Sequence, residues 1–195
     1  MPVRPVGETT SDPRMQKFAM VALAFALFYF AVMVPAFVGQ RPSVGVLAVW
    51  LLLGIVLVAL SVIDFRVQRL PDILTLPLIA AGLLFCLVAD PPAFAWHLLA
   101  ALCAYLLLYL FATVYERLRS RPGLGLGDAK LLAAAGAWLG LEALPSVLLV
   151  ATGTALFCVG MAVLLGKRIT ATSRIPFGPF LATAFWIVWL YGPMD

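Results

Sequence analysis

Nine carboxylates are the whole acidic complement of this 195-residue chain, and three of them stand where carboxylate chemistry is possible. Asp64 closes the apolar run LLLGIVLVALSVID, Asp72 follows Pro71, and Asp128 follows GLGLG and opens the run AKLLAAAGAWLG. An acid at a membrane boundary is costly unless it is paired or faces a polar cavity, so Asp64 and Asp128 are candidate functional residues. Two close carboxylates in a dry site do not readily ionise together, and such a pair can hold a single proton. One then acts as base on a water while the other, protonated, polarises a peptide carbonyl, which is the chemistry of an aspartic protease. The other acids have plainer places. Glu8, Asp12 and Asp195 lie in the tails, Asp90 and Glu142 in short turns, and Glu116 among Arg117 and Arg119. Taken singly, Asp64 reads equally well as a helix-end acid paired with Arg66 or Arg69, and Asp128 as the N-cap of a helix.

The residues around Asp128 and a later segment narrow the choice. Gly123, Gly125 and Gly127 alternate just before Asp128. No strand precedes them and no GK[ST] comes after them, which excludes a nucleotide-binding loop. Glycines there let the backbone turn sharply and approach another chain closely. In a protease that other chain is an extended substrate. The segment IPFGPF over 175–180, with Pro176, Phe177, Gly178 and Pro179, is a second interrupted stretch. Broken backbone at membrane depth is tolerated only where it is buried in protein or lines a cavity, so this segment reads as part of the site wall.

The elements that must carry these residues are set by composition. Hydrophobic residues make up 64% of the chain and charged ones 11%, with mean hydropathy +1.08. Soluble domains run at about 45–50% apolar and about 25% charged, so a soluble domain and a disordered chain are both excluded. An all-α polytopic membrane bundle of about seven crossings remains. The apolar runs lie near 18–38, 44–63, 73–89, 94–115, 129–143, 145–166 and 175–192. Residues 1–16 read as a disordered cytoplasmic tail, with Asp12–Pro13 as a cap for the first helix, and 17–195 as one transmembrane domain. The first run is too long for a signal peptide.

Charge placement sets the expected orientation. Arg4, Arg14, Lys17, Arg66, Arg69, Arg117, Arg119, Arg121, Lys130, Lys167, Arg168 and Arg174 all fall on one face, against Arg41 on the other. The positive-inside rule then puts the N-terminus in the cytoplasm and the C-terminus outside. The net charge of +4 is thus a topology signal with anionic headgroups as secondary partners, not a nucleic-acid footprint. Helix 3 leads out and helix 4 back, so Asp64 and Asp128 arrive at the same cytoplasmic face. Cys86, Cys103 and Cys158 lie in apolar runs without a CxxC. They read as small buried hydrophobes and not as a metal site or disulfide framework. Gly136 and Gly140 form a GxxxG whose expected use is packing within the chain.

Three segments, VIDFRVQRLPDILTLPLI, GLGLGDAKLLAAAGAWLG and RIPFGPFLA, together resemble the signature segments of the bacterial type IV prepilin peptidases, in the GxGD class of intramembrane aspartic proteases. The resemblance covers roughly 45–192 and implies Asp64 and Asp128 as the catalytic pair, with Gly125, Leu126 and Gly127 completing the motif. No cofactor and no metal are expected, since no CxxC exists and the single His97 is near no cysteine in sequence. The family varies between Asp and Asn at the position of Asp72, so this residue is expected to cap helix 3 instead of catalysing. Lys130 fits the motif and is expected to snorkel to the headgroups, with an influence on a carboxylate as the alternative. The resemblance further implies cleavage of a short basic leader from prepilins or pseudopilins at the cytoplasmic face of the inner membrane. The cysteine-rich loop that many members carry between the first helices is not present in the sequence, so a peptidase-only form is expected.

Two other classes compete. A small proton-coupled transporter would use the same acids as a relay, but both lie near one face and no inverted repeat is visible. A non-catalytic pilus or secretion assembly protein would not need the intact pair.

Overall fold

A computed structural model of the chain describes residues 13–119, 125–166 and 176–193. Seven α-helices run through them: α1 Pro13–Gln40, α2 Val44–Val67, α3 Asp72–Ala89, α4 Phe94–Arg119, α5 Leu126–Leu139, α6 Leu144–Leu164 and α7 Gly178–Tyr191. A single 3-10 turn, Pro91–Ala93, links α3 to α4. The fold is the expected polytopic helical bundle. Five of its helices are long and apolar enough to cross a membrane.

The two remaining helices, α5 and α7, are the shortest at 14 residues each. At 1.5 Å per residue each rises about 21 Å, less than the roughly 30 Å hydrocarbon core. Both are interior. In α5 the run Asp128–Trp138 is buried save Lys130, and in α7 Leu181, Ala182, Ala184, Phe185, Trp186 and Val188 are buried. The alanines of α5 let α4 come very near: a Cβ on Gly136 would lie 2.8 Å from the Ala100 carbonyl oxygen. Gly136 thus serves packing within the chain, as expected. The long helices surround this pair and turn leucines, valines and phenylalanines outward, the face lipid would cover.

Chain ends of the helices depart from the hydropathy boundaries for local reasons. The first helix starts at Pro13, so the last four residues of the stretch expected to be a tail are helical, while residues 1–12 lie outside the described ones. The second helix runs on past 63 through Asp64 to Val67, where Gln68 takes a left-handed conformation and its N–H closes on the Asp64 carbonyl at 2.9 Å. A hydropathy window ends at the first charge, but helical hydrogen bonding does not. The fifth helix begins earlier and ends earlier than expected, capped by Gly125 and Gly140. The seventh begins at Gly178, since Pro176 and Phe177 precede its first turn. Among the cysteines only Cys86 is buried. Cys103 and Cys158 face out of the bundle, correcting the reading of all three as core residues.

At the end of the bundle away from Asp128, Trp138 locks α5 to α3. Its indole N–H donates to the Leu78 carbonyl at 2.8 Å, and its ring stacks on Phe85 at 5.5 Å. His97 holds the same end of α5 from α4 through Nδ1 and the Ala137 carbonyl at 3.0 Å.

Candidate active site

Asp64 and Asp128 come together at one end of the bundle. Asp64 sits in the last turn of α2 and is 5% exposed, and Asp128 sits in the first turn of α5 and is 7% exposed. The two carboxyl groups lie within electrostatic range of one another. They are the two buried carboxylates among the described residues, with no buried cation beside them. Asp128 is not the N-cap of α5. Gly125 holds that position in extended conformation, and the Asp128 N–H donates to its carbonyl at 3.0 Å.

The third element is the start of α7. The Gly178 backbone N–H donates to Oδ2 of Asp64 at 3.0 Å. This N–H has no partner within its own helix, because the first turn of any helix leaves its donors free. The positive end of the helix dipole lies there too, so an anionic oxygen is a favourable partner. Only glycine fits: a Cβ at 178 would lie 2.6 Å from Oδ2 and 2.8 Å from Cγ of Asp64. Pro179 comes next, buried in the first turn, and Phe177 packs half-buried against the core. Pro176 is half-buried ahead of it. Of this segment, Gly178 is the residue that meets Asp64.

The glycines before Asp128 divide. Gly123 lies outside the described residues. Gly127 is pressed against the α2–α3 connection, where a Cβ would lie 2.8 Å from Cβ and 3.2 Å from the backbone N of Leu70. Gly125 has more room, its nearest atom being Oδ2 of Asp128 at 3.6 Å. Between them Leu126 is 52% exposed.

One expectation gives way. Asp72 is the first residue of α3 and makes no cap hydrogen bond, since Pro71 occupies the cap position. Lys130 has a protein partner that was not foreseen. Its Nζ donates to Oδ1 of Asp72 in an ion pair between the starts of α5 and α3. Sequence reasoning did not single out Leu70 and did not foresee Gly178 as a hydrogen-bond donor. A glycine followed by proline at a helix start is the signal that bears on the second.

The chain is similar to known proteins over most of its length. The family model described as the type IV leader peptidase family matches residues 51–165. The prepilin leader peptidase/N-methyltransferase of Aeromonas hydrophila is 41% identical over 180 residues, 92% of this chain and 60% of that protein. The protein of that name from Aeromonas salmonicida strain A449 is 45% identical over 152 residues, 77% of this chain and 51% of its own. That of Dickeya chrysanthemi is 43% identical over 147 residues, 74% of this chain and 50% of its own. The chain thus spans between half and three fifths of the length of these relatives. No solved structure matches it significantly. The match spans more than half of the chain and includes both Asp64 and Asp128, and it settles the kinship: the chain belongs to the type IV leader peptidase family.

Proposed function

We propose that this multi-pass membrane protein is an aspartic endopeptidase that removes the leader from type IV prepilins or pseudopilins. The observation that carries the reading is the meeting of Asp64 and Asp128, both buried, at one end of a bundle whose relatives are named prepilin leader peptidases. The aspartate pair accounts for the peptidase part of that printed name. The basic residues near the same end, Arg66, Arg69 and Arg117 among them, support a cytoplasmic, inner-membrane location for the site.

The geometry favours distinct roles. Asp64 already accepts the Gly178 N–H, and an oxygen that accepts such a bond is best served ionised. Asp64 is therefore the base, and Asp128 carries the shared proton. A water between them loses a proton to Asp64 as its oxygen attacks the scissile carbonyl carbon. The Asp128 proton stabilises the oxygen of the tetrahedral intermediate. Collapse breaks the C–N bond, and a proton passes to the departing amine. The products are a free leader carboxylate and a new N-terminus on the pilin, with one water consumed. No metal or cofactor takes part in these steps.

The substrate arrives as an extended segment next to its own hydrophobic helix. Leu126 and the Pro176–Pro179 segment are the walls it would meet. The test is mass spectrometry of a purified tagged type IV prepilin incubated with this protein in liposomes. The reading expects two products that sum to the prepilin plus one water, cut after the glycine that precedes the hydrophobic helix. An uncut prepilin would count against it.

A further inference from the structure

The helices that bear the two aspartates are not held together by packing on each other. Among the described residues α2 packs chiefly on α7 and α1, and α5 on α4, α3 and α7. The spacing of Asp64 and Asp128 is therefore set indirectly. One route is α7, which touches both helices and bonds Asp64 through Gly178. The other is the short connection from α2 to α3. It leaves Asp64 through the closing bond of Gln68, passes buried Leu70, and reaches Asp72 after Pro71.

Two contacts fasten that connection to the start of α5. Gly127 lies against Leu70, and Lys130 pairs with Asp72. Gly127 and Lys130 are three apart on one helix, so they share a face, and Asp128 between them points from a different one. The same short turn of α5 thus grips the α2–α3 connection on one side and presents its carboxylate on another. Leu70 and Asp72 flank a proline, whose fixed φ stiffens the grip.

We infer that Lys130 and Asp72 are a positioning pair that sets the distance between the two aspartates across the α2–α3 connection. This rests on the proposed peptidase reading for its consequence in catalysis, but not for its geometry. Lys130 does not touch the aspartate pair. It acts by tethering the turn on which Asp128 stands. Small displacements of such a group cost large factors in rate, because attack requires near-contact geometry.

Two measurements test the pair. In the full chain with Cys86, Cys103 and Cys158 replaced by serine, Asp64→Cys and Asp128→Cys are introduced together. Their cross-linking by a short homobifunctional methanethiosulfonate is then timed in membranes. Lys130→Met or Asp72→Leu should slow it about tenfold, and the exchange Asp72→Lys with Lys130→Asp should recover it to within about threefold. In the chain with both aspartates intact, cleavage of a purified tagged type IV prepilin should lose about tenfold in kcat with KM within about twofold. Asp72→Asn, which keeps an acceptor for Lys130, should retain most activity. Cross-linking unchanged by Lys130→Met would overturn the pairing role, whatever happens to cleavage. A kcat loss that merely tracks a fall in the folded fraction, with no recovery in the exchanged variant, would do the same. Absence of cleavage in the unaltered chain, alongside normal cross-linking effects, would count against the peptidase reading alone.

Discussion

The Gly178 backbone N–H donates to the Asp64 carboxylate at 3.0 Å, joining the start of α7 to the end of α2 across 114 residues of chain. The contact needs a residue without a side chain, since a Cβ at 178 would stand 2.6 Å from the accepting oxygen. Gly178→Ala therefore pushes the carboxylate off its donor. We expect prepilin processing to fall about tenfold or more, with membrane insertion unchanged. Gel-shift rates normalised to the inserted protein check this, and processing at the unaltered rate would remove Gly178 from the site.

Gly127 makes the corresponding close approach on the α5 side, with Leu70 as its neighbour. Gly127→Val adds branched bulk where a single Cβ would already sit 2.8 Å from the Leu70 Cβ. The turn carrying Asp128 must move outward. Cleavage should drop by about tenfold or more while inserted protein stays within about twofold of the original. Equal losses of both would assign Gly127 a folding role only.

Leu126 precedes the tightly packed Gly127 yet is 52% exposed. An exposed leucine beside the aspartate pair has little packing to lose within the chain. Leu126→Ala should leave thermal stability within about 0.5 kcal/mol. If substrate covers it, KM should rise several-fold with kcat nearly unchanged, the pattern of lost uniform binding. Steady-state kinetics on one prepilin separates the two constants.

Trp138 offers the opposite combination, structural and remote from the chemistry. It lies ten residues along α5 from Asp128, about 15 Å at helical rise. Trp138→Phe removes the donor to the buried Leu78 carbonyl and should destabilise the fold by about 1–3 kcal/mol. Thermal unfolding in detergent reads this as a lower Tm. The folded fraction should retain kcat within about twofold.

Much of the architecture was legible because lipid leaves few options. Uniformly apolar runs near membrane length must be helices; seven helices were expected, and seven lie among the described residues, five of them long and apolar enough to cross a membrane. The aspartate pair was legible for a related reason: with charge so scarce, an acid at the end of an apolar run stands out. The rest depended on contacts between segments distant in the chain. The true start of α7 at Gly178 could not be read from hydropathy, because Ile175 and Phe177 are as apolar as Phe180 and Leu181. The Lys130–Asp72 pair joins positions 58 apart, and nothing local to Lys130 distinguishes a protein partner from a headgroup. Cys103 and Cys158 looked like core residues because, inside a membrane, the lipid-facing side of a helix is as apolar as the buried one.

The central claim is that Asp64 and Asp128 together cleave the leader. Its most direct test is co-expression with a tagged type IV prepilin, and then gel shift, for the unaltered chain, Asp64→Ala and Asp128→Ala. The account predicts the shortened product with the unaltered chain and only full-length prepilin with either variant, each variant being present in the membrane at the normal amount. Full processing by either variant would contradict the assignment.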